Sequence, residues 1–92
     1  MPRVIAVHSV GNMDTWLAGG AERAATFKKF CSSYHVFKPG GGAKSKKIAV
    51  VWENADLAKL EATLSSPETM KLRTKHTVSE HVEMFVELEG AR

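Results

Sequence analysis

A histidine stands in the middle of an otherwise apolar run near the N-terminus, the stretch RVIAVHSV at residues 3–10. An imidazole can act as a general base because its ordinary pKa, about 6.5, lies close to neutral pH. It can equally be a neutral core residue whose ring nitrogen is bonded to the backbone. The residue type alone favours the structural role for His8. A place on an enclosed sheet face would favour proton transfer.

Aromatic residues and a second histidine lie on the other predicted strands. Tyr34 can orient a substrate through its phenol or simply favour a strand, and the adjacent His35 fits an exposed strand position. Trp52 ends the third predicted strand, where core packing is the commoner role and ligand stacking is the alternative. We retain all three as candidates for substrate binding.

Phe85 lies between Glu83 and Glu87 on the last predicted strand, and the three share one face. Carboxylates on alternate strand residues lie about 7 Å apart, a spacing compatible with acid–base chemistry. Charged residues that keep an edge strand from aggregating are the commoner explanation. Salt bridges across a dimer are a third explanation for these carboxylates. Phe85 is the fourth candidate for substrate binding.

The remaining histidines do not form a metal site by their spacing. His76 and His81 bracket the sequence TVSE, and five residues suit neither one helix face nor a usual metal pair. We predict two solvated loop histidines and no bound metal.

Composition excludes several classes of partner. The net charge is +3, and its basic residues cluster near 38–47 rather than on an aromatic-rich face, so we predict no nucleic-acid partner. No apolar run approaches about 18 residues, which predicts no membrane span. The single cysteine, Cys31, and the lack of a signal-peptide pattern favour a cytoplasmic protein.

Hydrophobic periodicity and capping residues predict the elements that position these side chains. A helix capped by Asp14 is expected after the first strand, and Gly19–Gly20 predicts a kink or a break within it. Asn54 or Asp56 opens a second helix, and Ser66 with Pro67 restarts it. The glycine-rich loop at 39–47 is expected to be a flexible hairpin whose lysines can attract an anion. The predicted ranges are 3–10, 34–38, 47–53 and 81–89 for strands and 15–31 for the first helix.

This order of strand, helix, two strands, helix and strand is the ferredoxin-like α+β arrangement, with one four-stranded antiparallel sheet in a single domain of residues 1–92. Both helices would cover one sheet face. The strands are apolar on both faces, and an exposed apolar sheet is an interface or a liability. We therefore expect a homodimer in which two sheets close into an α/β barrel.

The chain resembles the dimeric α/β-barrel proteins, close to the antibiotic-biosynthesis-monooxygenase-like group and its small uncharacterised relatives. The resemblance rests on the apolar first strand, Asp14-Thr15-Trp16, the strand IAVVWE with its following helix, and Ser66-Pro67-Glu68. It implies a homodimer with a pocket between sheet and helices or within the barrel. Members include cofactor-free oxygenases, cyclases, isomerases and haem-degrading enzymes, so the fold does not choose a function.

The haem-degrading members combine a tryptophan at the position of Trp52 with an asparagine on strand one and a helical histidine. Here His8 replaces the asparagine and His76 lies beyond the expected place, so we predict no cofactor. The expected function is a small enzyme acting on a hydrophobic or aromatic molecule by oxygenation, isomerisation or cyclisation, with His8 transferring the proton. The alternative is a non-catalytic ligand-binding or stress-associated barrel protein.

Overall fold

A computed structural model describes residues 1–40 and 45–91 of the chain. The glycine-rich loop predicted to be flexible lies partly outside these residues. Within them, strands and helices follow in the order β1 (Val4–Ser9), α1 (Met13–Ala18), α2 (Gly20–Phe27), β2 (Ser33–Phe37), β3 (Lys47–Glu53), α3 (Leu57–Leu64), α4 (Pro67–Lys75) and β4 (Glu83–Val86). In the described ranges, no helix has the length and apolar character needed to cross a membrane.

The four strands form one sheet in the order β2-β3-β1-β4, and every neighbouring pair is antiparallel. This topology confirms the predicted ferredoxin-like α+β fold. The central strand β1 pairs on one side with β3, where His8 lies opposite Ile48, and on the other with β4. Neighbouring chain segments therefore flank this part of β1 on both edges: β3 pairs with His8, and Ser79 after α4 donates its backbone N–H to the Ser9 carbonyl.

Alternation along the strands separates a covered face from an open one. Val4, Ala6 and Val10 of β1 are buried with the helical Trp16 and Leu60 in a single core, whereas the intervening Ile5 is exposed. The strand β3 repeats the pattern. The helices thus cover one face of the sheet, as predicted, and the other face carries the exposed hydrophobic side chains of Ile5, Phe37 and Phe85.

The first helical region differs from the prediction in its cap and its length. Asn12, not Asp14, is the N-cap, because its extended backbone lets the side-chain oxygen accept the Thr15 amide at 3.0 Å. Asp14 lies in the first turn, where its charge favours the positive end of the helix. The chain breaks at Gly19 and α2 ends at Phe27, since a turn brings Phe30 into the core.

The later elements follow the sequence signals closely. Asp56 caps α3 by accepting the Lys59 amide at 3.1 Å, and Ser66 caps α4, whose first residue is Pro67. The strand β4 is shorter than predicted. Its pairing ends opposite Val4, the first residue of β1, so the residues that follow run past the end of their partner strand.

Candidate functional site

A pocket of about 120 Å³ lies between the helix-covered face of the sheet and the helices, and it is partly open to solvent. Strand residues His8, Val50, Trp52 and Met84 form its floor, and Trp16 is among the helical residues that wall it. Apolar cavities of about 150 Å³ are known to hold benzene. The pocket is therefore matched in size to a molecule with a single ring.

His8 enters this pocket because alternate residues of β1 face the helices. Its ring is half-buried, lies 6.2 Å from the Trp16 ring centroid, and places Nδ1 3.2 Å from the Ser9 carbonyl oxygen. That bond assigns the proton to Nδ1, which leaves Nε2 free to accept another. Burial lowers the pKa of His8, and the charges of Arg73 and Arg23 lower it further, against the opposing effect of the Ser9 bond. The imidazole is thus neutral at neutral pH and available as a base.

The two tryptophans of the chain both line the pocket and carry unused donors. Trp16 and Trp52 are 2% and 3% exposed, and neither indole N–H has an acceptor among the described residues. Buried donors almost always find a partner, because an unsatisfied one costs about 1–3 kcal/mol. Both Nε1 atoms are themselves closed off from solvent, so a bound molecule with an acceptor atom would relieve this cost only by displacing the side chains around them.

Two arginines bring positive charge to the same pocket. The Arg23 guanidinium lies 3.6 Å from the Trp16 ring centroid and donates to the Trp16 carbonyl. Partial burial lowers the pKa of Arg23. Arg73, from α4, donates through Nη2 to the carbonyls of Ser79 and Glu80, each at 3.2 Å. Among the described residues, neither guanidinium is paired with a carboxylate.

His76 corrects the sequence prediction of a solvated loop histidine. It is 3% exposed, it is the C-cap of α4, and it lines the pocket. The ring fits there because Gly19, at the junction of α1 and α2, has no side chain to oppose it. Its Nε2 lies 3.4 Å from a Glu22 carboxylate oxygen that Lys75 also binds at 3.0 Å. His81, by contrast, is exposed as predicted.

The other candidates for substrate binding are divided between the two sheet faces. Tyr34 is on the helix side but packs edge-on against Phe27, with ring centroids 4.9 Å apart, and does not line the pocket. His35 and Phe85 lie on the open face, in a shallow groove with Ile5. The structure therefore brings His8 and Trp52 together and separates them from His35 and Phe85.

Besides His76, three pocket residues were missed from the sequence: Trp16, Arg23 and Arg73. Trp16 and Arg23 are seven residues apart, a spacing that would place them on one face of the single helix predicted over 15–31, although the chain breaks at Gly19 between them. For Arg73 the sequence gives no such signal, because the hydrophobic pattern of α4 is too weak to show which helix face is buried.

A haem group does not fit this pocket, although His8, Trp52 and His76 now share it. A tetrapyrrole is several times larger than a space of about 120 Å³. Elsewhere in residues 1–40 and 45–91, no three histidine, cysteine, aspartate or glutamate side chains are placed to hold a metal ion together.

No protein-family model matches this chain, and no curated protein matches it. Several solved structures, by contrast, are similar to it. An antibiotic biosynthesis monooxygenase is similar with a TM-score of 0.70 and 16% identity, over 99% of this chain and 100% of that one. SnoaB, a cofactor-independent oxygenase from Streptomyces nogalater, has a TM-score of 0.70 and 11% identity, over 99% of this chain and 94% of that one. Rv0793 from Mycobacterium tuberculosis has a TM-score of 0.57 and 15% identity, over 100% of this chain and 98% of that one. The chain thus has the ferredoxin-like fold of antibiotic biosynthesis monooxygenase-like proteins, as the resemblance implied.

Proposed function

We propose that this chain is a small cofactor-independent oxygenase that acts on a hydrophobic or aromatic single-ring molecule in the pocket between sheet and helices. The observation that carries the proposal is His8, a neutral imidazole with a free Nε2 in a largely apolar pocket. The similarity in fold to a cofactor-independent oxygenase supports oxygenation over the other reactions that the sequence leaves open.

The reaction we propose begins with proton abstraction. His8 Nε2 removes a proton from an activated CH₂ group of the substrate, and the resulting carbanion or enolate is the electron donor to dioxygen. One oxygen atom becomes a carbonyl on the former CH₂ carbon. The other leaves as water with the two substrate hydrogens. Four electrons leave the carbon and four reach dioxygen, so the reaction needs no further reductant.

The pocket's free donors have a role in this scheme. The enolate oxygen formed by proton abstraction needs hydrogen-bond donors that are already in place, because preorganised donors stabilise developing charge without reorganisation. The guanidinium groups of Arg23 and Arg73 line the pocket and can supply such donors. The positive charges of Arg23 and Arg73 would also stabilise the negative charge of the enolate oxygen.

A non-catalytic ligand-binding protein is the second candidate. The unpartnered indole donors favour it as much as they favour an enzyme, since they require only a ligand with an acceptor atom. Proton transfer at His8 is what distinguishes the two functions.

We also propose that the open sheet face binds a second copy of the chain. The exposed side chains of Ile5, Phe37 and Phe85 lie together on this face, and their burial would be the main driving force. In such a barrel, His35 and Phe85 would lie between the two sheets rather than beside His8.

The proton-transfer role can be tested with phenylacetone, a single-ring enolisable ketone whose CH₂ group is activated by both the carbonyl and the ring. Under anaerobic conditions in D₂O, NMR should show that the protein accelerates exchange of these hydrogens, and an oxygen electrode should show uptake in air. His8→Ala and His8→Asn should each lower exchange by about 10²–10⁴-fold. The control His35→Ala should retain exchange, because His35 lies on the other face.

Two outcomes would contradict the proposal. If His8→Ala exchanges as fast as the unmodified protein, His8 is not the base. If the unmodified protein binds phenylacetone with neither exchange nor oxygen uptake, the non-catalytic function is supported instead. Thermal melts of the variants show whether a loss of exchange is merely a loss of folding.

A further inference from the structure

We infer that the pocket selects an organic anion, a single-ring compound with a carboxylate whose oxygens lie among Arg23, Arg73 and the two indole N–H groups. This names the substrate class of the site described above and so rests on the proposed function. It goes beyond that function because oxygenation of a hydrophobic ring does not itself require a charged substrate.

The first support is the charge of the lining. The ionisable side chains that line the pocket are His8, Arg23, Arg73 and His76, and no aspartate or glutamate lines it among the described residues. The Glu22 carboxylate, which is bonded to Lys75 and His76, is not part of the lining. The pocket thus has cations without a matching anion.

The second support is a contrast with the other ion pairs of the chain. Arg3 is bonded to Glu87 at 2.9 Å although both side chains are well exposed, and exposed pairs of this kind contribute little. Arg23 and Arg73 are less exposed, so a counter-ion would benefit them more, yet they are bonded only to backbone carbonyls and a methionine sulfur among the described residues. Partly buried charge without a counter-ion is costly. A ligand carboxylate would supply the missing charge.

The third support is the excess of donors over acceptors. The indole N–H groups of Trp16 and Trp52 lack acceptors, and both guanidinium groups are donors only. A carboxylate is an acceptor at both oxygens and can take several such bonds. A hydrocarbon ring would add no acceptor for the indole N–H groups or for the guanidinium N–H groups that are not already bonded.

An anion in this position would also act on the base. The charges of Arg73 and Arg23 lower the pKa of His8, and a bound carboxylate would offset both of them. His8 would then become a stronger base when the substrate is present. Substrate binding and proton abstraction would thereby be linked through charge.

Benzoate and benzamide provide a direct test, since they have nearly the same shape and differ in charge. We expect ligand-observed NMR titrations at low ionic strength to give at least a tenfold lower Kd for benzoate. Arg23→Met and Arg73→Met should each raise the benzoate Kd by about tenfold or more and leave the benzamide Kd nearly unchanged. Arg3→Met, on the open face, is the matched control and should change neither.

Because Arg73 also bonds the carbonyls that precede β4, its removal can loosen that segment. Arg73→Lys keeps the charge and should therefore restore part of the benzoate affinity in a way that a purely structural role would not predict. Melting temperatures for all variants separate lost folding from lost binding.

The outcomes distinguish this inference from the function on which it rests. Equal Kd values for benzoate and benzamide, or benzoate binding that survives both arginine substitutions, overturn the anion selectivity. Exchange of phenylacetone hydrogens in the same protein would still support the proposed function. Failure of both ligands to bind overturns the anion selectivity as well. If phenylacetone exchange also fails, the proposed function fails with it.

Discussion

The imidazole of His76 lies across Gly19 so closely that a Cβ atom at position 19 would overlap the ring. Gly19 is the junction between α1 and α2, and His76 ends α4. Because Gly19 has no side chain, the buried His76 ring has room to pack against it and line the pocket. Two elements far apart in the sequence are matched at this single contact.

Gly19→Ala should destabilise the protein by about 1–3 kcal/mol, the usual cost of overpacking a well-packed site. Backbone strain does not contribute, because Gly19 has φ −86° and ψ 11°, which alanine also adopts. Urea denaturation measures the loss in the free energy of unfolding.

Gly20→Ala is the matched control for that measurement. A Cβ there would meet only Arg23 Nη2, at 3.8 Å, an ordinary contact. We expect no loss, or a gain of up to about 1 kcal/mol from reduced freedom of the unfolded chain. Equal losses at the two positions would show that His76 is not the cause.

The lowered pKa of His8 makes stability depend on pH in a defined direction. Burial is the main cause, so the folded state resists protonation and the unfolded state binds the proton more readily. Stability contributed by neutral His8 is complete above the unfolded pKa, about 6.5, and is lost as pH falls toward the folded value. Proton abstraction by His8 should decline over the lower part of the same range.

Urea unfolding of the unmodified protein and of His8→Asn between about pH 8 and about pH 5 tests this linkage. The variant cannot titrate at position 8, so it should lose less stability on acidification. Parallel pH dependences of the two proteins would show that the His8 pKa is the same in the folded and unfolded states.

The open sheet face gives a prediction about oligomeric state. Phe85→Asp should shift a dimer to monomer in native mass spectrometry, because a charge would be buried where the two sheets meet. Met70→Asp is the control, since Met70 on α4 is 50% exposed and Phe85 54%, and only Phe85 lies on the open face. A monomeric unmodified protein would contradict the barrel.

Most of the fold was predictable because its signals are local. The strand β3 has the predicted bounds, because its apolar run is flanked by a charged residue at each end, Lys47 and Glu53. Ser66 and Pro67 likewise mark the start of α4. The N-cap of α1 was misplaced because Asn12 and Asp14 both suit that position, and only the extended backbone at Asn12 separates them.

The site was harder to predict because its contacts are not local. Both faces of β1 are apolar, so only the packing of the helices shows that His8 is on the covered face with Trp52. His35 and Phe85 are on strands too, but alternation places them on the opposite face. Nothing in the residues around His76 indicates that Gly19 provides room for its ring.

The central claim, a ligand site between sheet and helices, is tested most directly by ¹H–¹⁵N NMR of the two indole N–H groups. Trp16 and Trp52 give the only two such resonances, because the chain has two tryptophans. Titration with benzoate should shift both downfield, as each free donor gains an acceptor. Unmoved indole resonances, with shifts confined to Ile5, His35 and Phe85, would place the ligand on the open face and contradict the account.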